Sequence, residues 1–161
     1  MNSKILNVKH AEFKKKSLEA SIKKHQSVID DLKRSIKELL GTEDAANRDE
    51  SDLTQQSVNT EQIQKANAIG DQVSFANDEM TLLNNMLPLI EDIHDQVTLG
   101  SVVVTDKMVF FVSASIEQFE VDGIELFGLS TESPIYQEMR GKKKGDLFSY
   151  KKHHYTIVDL F

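Results

Sequence analysis

Between residues 9 and 100 the apolar positions recur at helical spacing. Leu18, Ile22, His25, Ile29, Leu32, Ile36 and Leu39 alternate steps of four and three, which places them along one stripe of a slightly underwound helix, interrupted once by His25. A second series, Ile63, Ala66, Gly70, Val73, Met80, Leu83, Leu87 and Ile90, follows the same rule, with small residues at Ala66 and Gly70 expected to admit a partner helix closely. Two long helices joined by a short polar segment pack antiparallel. The pattern predicts helices over about 9–40 and 53–95, with a tip at 41–52 and Gly41 as a left-handed cap after Leu39-Leu40. At 1.5 Å per residue, Lys9 to Leu40 would extend about 48 Å, the dimension of a reaching device. Pro88 is expected to kink or break the second helix near Leu87, because it lacks the amide proton and crowds the preceding turn.

Past Gly100 the pattern changes to short runs of Val, Ile and Phe punctuated by turn dipeptides. Val102 to Thr105 and Met108 to Ser113 read as strands around a turn at Asp106-Lys107, and Asp122-Gly123 marks a further tight hairpin. Ser133-Pro134 reads as an N-cap and first helical residue, with Gly141 as terminator, so Ile135 to Arg140 would be one short helix. Strands over Leu147 to Tyr150 and Tyr155 to Leu160 would close the domain. The expected fold class is α+β, an antiparallel coiled-coil hairpin over 1–98 followed by a small antiparallel β-rich domain over 99–161.

The chain has 161 residues, a net charge of -7 and a pI near 5.2. That balance disfavours direct, sequence-independent binding of nucleic acid, which needs a basic surface to displace phosphate counterions. A protein partner with a basic surface fits better. Without cysteine there is neither a disulfide, nor a thiolate metal site, nor a cysteine nucleophile, and a reducing cytoplasm is the expected location. Met1 to Asn7 holds no extended apolar run and nowhere do 18 apolar residues follow one another, so neither export nor membrane insertion is expected. Residues 1–40 carry ten Lys/Arg against five Asp/Glu, and residues 41–100 carry two against twelve, which predicts mutual attraction across the hairpin.

Ser133-Pro134-Ile135, then Gly141-Lys142-Lys143 and Gly145-Asp146, then Tyr155-Thr156-Ile157-Val158 resemble the end of the C-terminal domain of the bacterial Gre transcript-cleavage factors. That family shows Ser-Pro-Ile, a short helix, Gly-Lys-Lys/Glu-x-Gly-Asp and a closing Tyr-x-Ile strand, and Gly100-Ser101 before a valine strand resembles the same domain's opening. The resemblance covers about 60 residues. It implies an FKBP-like β-rich domain that docks at the rim of the RNA polymerase secondary channel, without prolyl isomerase activity, while the hairpin carries its tip to the polymerase active site. It implies docking through Ser133, Pro134 and Ile135; the plainer reading of these three is a helix start with a buried isoleucine.

From Glu43 to Asp52 five of ten residues are acidic: Glu43, Asp44, Asp49, Glu50 and Asp52. Two-metal phosphodiester hydrolysis needs a second Mg²⁺ beside the first, and Mg²⁺ is commonly held by one or two carboxylates with waters retained. The family's tip motif runs Gly-Asp-Leu-Ser-Glu-Asn, and the corresponding stretch here is Ser51-Asp52-Leu53-Thr54-Gln55-Gln56. Asp52 matches the aspartate, whereas Gln55 stands where the glutamate should be, with an acceptor oxygen but no charge. Either Asp49 and Glu50 take over the missing carboxylate, or the factor occupies the channel without efficient cleavage. The resemblance thus implies a monomeric cofactor protein with no cofactor of its own, sharing Mg²⁺ with polymerase through Asp52, and in indirect contact with the RNA 3′ end. An acidic interhelical loop is also an ordinary solvated turn.

Two further features are a basic patch of Lys142-Lys143-Lys144 with Lys151-Lys152, and the pair His153-His154. Turn lysines that keep a sheet soluble, with Phe148, Tyr150 and Tyr155 in the core, explain the first better than contact with RNA or an acidic surface. Adjacent strand residues point to opposite faces, so the histidines make poor joint metal ligands. Of another class altogether is a coiled-coil scaffold that dimerises through its heptad stripe.

Overall fold

The computed structural model describes residues 5–41 and 53–161, the side chains of 53–59 excepted. After a 3-10 turn at Ile5–Asn7, α1 spans His10–Gly41 and α2 spans Leu53–Met86. Six strands and one short helix follow: β1 (Val102–Thr105), β2 (Val109–Ser113), β3 (Ile116–Val121), β4 (Ile124–Ser130), α3 (Pro134–Met139), β5 (Leu147–Tyr150) and β6 (His153–Leu160). The fold is the expected one, a helical hairpin and then a small, mostly antiparallel sheet with one short helix. The second helix ends at Met86 rather than near 95, because Pro88 diverts the chain into a 3-10 turn over Leu87–Leu89. Among the described residues no helix is long and apolar enough to cross a membrane.

The chain forms two compact units, one of Met1–Lys24 with Glu79–Phe161 and one of His25–Asp78. The composition change near Gly100 therefore marks the start of the sheet, while the bases of both long helices belong to the sheet's unit.

Among the described residues of the unit 25–78 the buried positions are His25, Ile29, Ala66 and Ala76. His25, which interrupts the apolar stripe, is buried, and its Nε2 lies 2.8 Å from the carbonyl oxygen of Ala76. Ala76 belongs to the seam although its small side chain gives little hydropathic signal, and Ile63 is exposed. Ala66 is buried as anticipated for a close approach, but a Cβ placed on Gly70 would meet nothing within 4 Å. The opposite-charge contacts Arg34–Asp31 (3.2 Å) and Lys65–Glu61 (2.6 Å) run within single helices, three and four residues apart, and Lys65 holds the Glu61 carboxyl below its usual range.

In the larger unit the sheet order is β3-β4-β2-β1-β6-β5. Every pairing is antiparallel except β2 with β4, which is parallel. Asp122 and Gly123 turn the β3–β4 hairpin with left-handed φ of 53° and 77°, and β3 is thereby left outermost. The crossing from β2 to β3 presses on β4 at Gly128, where a Cβ would fall 2.6 Å from Ile116 Cβ and 2.8 Å from the Ala114 oxygen. Only glycine leaves room there.

All four β1 residues are buried because the sheet is covered on both faces. On one face Val102, Val104, Phe111 and Leu126 pack with Phe13, Leu18, Leu83 and Met86 from the helix bases and with Ile90 just after the 3-10 turn. On the other, Val103, Phe110, Tyr155 and Ile157 pack with Tyr136 and Met139 of α3. Phe161 completes the first face: it exchanges backbone hydrogen bonds with Val102 (2.7 and 3.2 Å), stacks flat on His10 (centroids 3.9 Å) and meets Phe13 edge-on (6.2 Å).

Lys14 is fully buried and donates to the Asp92 backbone oxygen. Burial lowers its pKa from 10.5 to about 8, opposed in part by the Asp92 charge, and His94 is likewise pushed down by burial and by the Lys14 charge.

Two outcomes follow from this packing. Between pH 8 and 10.5 the unfolded chain holds a proton on Lys14 that the folded chain has released, so stability rises with pH across that window. Urea unfolding should show Lys14→Met closing a gap of roughly 3 kcal/mol at pH 7 relative to pH 10.5; an unchanged pH dependence would mean that Lys14 is not charged and buried. Gly70→Ala should raise stability by about 0.5–1 kcal/mol through helix propensity alone, and a loss would place a neighbour against that position.

Candidate functional site

The residues singled out at the end of the chain fold into one local assembly around α3, which packs against β5. Ser133 adopts an extended conformation (φ -73°, ψ 143°), and its Oγ accepts from the Tyr136 amide (3.4 Å) and donates to the Ser130 oxygen (2.7 Å). Pro134, at the first helical position, needs no amide partner and is exposed; Ile135 is half-buried against the second core. Ser130 Oγ accepts from the Glu132 amide (3.1 Å) and Gln137 Nε2 donates to the Thr131 oxygen (2.8 Å), so the turn before the helix is held at several points.

Beyond α3, Gly141 takes a left-handed φ of 72° and donates to the Val97 oxygen (2.9 Å), while the Lys142 oxygen accepts from the Val97 amide (2.8 Å). Asp146 closes the lysine loop: its Oδ2 accepts from the Lys143 amide (2.8 Å) and its own amide donates to the Lys143 oxygen (3.0 Å). Gly145, with φ 92°, supplies the bend and donates to the Ile157 oxygen (2.8 Å). The Gly-Lys-Lys-Lys-Gly-Asp stretch is thus a turn whose glycines and aspartate each have a backbone task.

The basic patch divides in two. Lys143 faces Asp95 (3.7 Å) and Lys144 faces Asp159 (2.9 Å), which also lies 3.7 Å from His10 Nε2. Lys151, in the β5–β6 turn, sits over the Tyr150 ring (5.4 Å), and Lys107 sits over the Tyr155 ring (5.0 Å) and donates to the His154 oxygen. Lys107 was not legible as a member of this group. It is brought there by Asp106, whose Oδ1 accepts from the Thr156 amide (2.9 Å), and by Thr105, whose Oγ1 accepts from the Met108 amide (3.0 Å). Phe148 and Tyr155 are buried and stacked (4.8 Å), as core aromatics should be, and Tyr150 is half-buried.

His153 and His154 pair across the hairpin with Tyr150 and Ser149 respectively, and His154 Nδ1 is 2.7 Å from Ser149 Oγ. Among the described residues no three His, Asp or Glu side chains are grouped to hold a metal ion. Asp49, Glu50 and Asp52 lie outside the described residues, and Gln55 falls in the first turn of α2, its side chain also outside them.

No protein-family model and no curated protein matches the chain. Among solved structures, the crystal structure of GreA factor homolog 1 (Gfh1) protein of Thermus thermophilus is similar to it over 91% of this chain and 94% of that one, at 17% sequence identity and a TM-score of 0.34. A likeness so distant assigns neither family nor activity.

Loss of the cap bond tests the local account. Ser133→Ala should lower stability by about 1 kcal/mol, and Ser133→Asp, which can also cap, should recover most of it; a thermal shift within error for the alanine variant would mean that the loop is held elsewhere.

Proposed function

We propose that this protein is an RNA polymerase-binding transcription factor of the Gre type, which enters the secondary channel and stimulates the polymerase's own cleavage of backtracked transcripts. The observation that carries the reading is the ordered run of Ser133-Pro134-Ile135, Gly141-Lys142-Lys143, Gly145-Asp146 and Tyr155-x-Ile157 behind a pair of long helices. In support, Pro134 stands exposed on a turn fixed by Ser133 and Ser130, as a docking loop should be. In this reading the protein is no enzyme by itself. Polymerase supplies the active site and Mg²⁺, and Asp52, with Asp49 and Glu50 as neighbours, supplies carboxylate, the donor class that Mg²⁺ takes.

A second reading is favoured by Gln55, which cannot supply the charge of the family's glutamate: a channel-occupying regulator that does not stimulate cleavage.

Stalled, backtracked polymerase complexes separate the two. The cleavage reading expects 3′ shortening of the RNA in Mg²⁺ buffer, lost at least tenfold in Asp52→Asn. The regulator reading expects binding without shortening and gain of cleavage in Gln55→Glu. Neither binding nor shortening would reject both.

A further inference from the structure

We infer that the β5 edge of the sheet is a docking site for an acidic, extended polypeptide segment, which adds to β5 as a further strand. This goes beyond polymerase binding and does not depend on it. β5 is the last strand in the order β3-β4-β2-β1-β6-β5, and among the described residues no backbone group of Leu147–Tyr150 hydrogen-bonds to anything beyond its β6 ladder. An edge of this kind presents a row of free donors and acceptors that a second extended chain can satisfy. Edge strands are ordinarily blunted by brevity, a charge, a proline or a bulge. β5, with the sequence Leu-Phe-Ser-Tyr, is short at four residues but carries no charge, proline or bulge of its own, and Leu147 is 67% exposed.

The charge around this edge selects the occupant. Lys142 lies before the strand and Lys151 and Lys152 follow it, while Lys107 adds charge from the β1 side of β6, where it donates to the His154 oxygen. Unlike Lys143 and Lys144, these four pair with no carboxylate among the described residues. In a chain of net charge -7, that is a local excess of uncompensated positive charge beside an open strand. The opposite edge, β3, has the reverse character, with Glu117 and Glu120 exposed and Lys24 already donating to the Gln118 oxygen. Lys151 adds an independent sign. It holds a left-handed φ of 55° at a turn position where glycine or asparagine would be less strained, so the local backbone does not account for a lysine there. An acidic segment with alternate apolar residues would satisfy the edge hydrogen bonds, meet the lysines and cover Leu147.

The probe is a blocked octapeptide of alternating Glu and Val, titrated into the full chain. Saturable binding is expected, with slowed hydrogen exchange at β5 amides, together with weakening at higher salt. Lys151→Gly with Lys152→Gln should weaken binding at least fivefold while the melting temperature stays the same or rises. Lys143→Gln with Lys144→Gln should change affinity by less than twofold. The proposal is overturned by absent binding, by binding without β5 protection, by equal binding of a single-stranded RNA of the same charge, or by a dimer that the peptide dissociates, since the occupant would then be a second copy.

Discussion

The larger compact unit depends on the burial of one sheet face under the bases of two helices. Val102, Val104, Phe111 and Leu126 offer that face, and Phe13, Leu18, Leu83, Met86 and Ile90 close on it. Each such side chain contributes roughly 1.5–3 kcal/mol when removed from water, so this contact outweighs any polar interaction in the unit. It explains why Val102 and Val104 are fully buried and why the closing Phe161, which joins the same face, pairs with Val102. It also explains why Lys14 can be held buried with its pKa lowered: the helix position is fixed by its neighbours Phe13 and Leu18.

What the sequence made legible was local. Val102–Thr105, the Asp122-Gly123 turn, the Ser133 cap with Pro134, and the strands at Leu147 and Tyr155 each carry their signal in adjacent residues, although the last strand begins two residues earlier, at His153. What it hid depends on partners far along the chain. Gly128 is required by Ala114 and Ile116, Lys107 reaches β6 through a contact 47 residues away, and Lys14 meets Asp92 across 78. The helical seam was misread where size, not hydropathy, decides burial: Ala76 is inside, Ile63 is outside, and the small residue at Gly70 faces open space. His25 belongs inside because the Ala76 oxygen satisfies its ring nitrogen. Of the candidate site, Ser133 to Ile135 was legible because capping chemistry is short-range, whereas the division of the lysines into paired and unpaired sets exists only in three dimensions.

That division gives the sheet unit two different surfaces. The turn that begins with Ser133 is neutral, fixed and led by an exposed proline, while the β5–β6 side is open and positive.

The most direct test of the polymerase assignment is whether the purified chain co-elutes with bacterial RNA polymerase core enzyme on size exclusion, independently of any cleavage. Stoichiometric co-elution, displaced by an established secondary-channel factor, is the predicted result. A chain that elutes apart from polymerase, or as a stable dimer of its own, would contradict it.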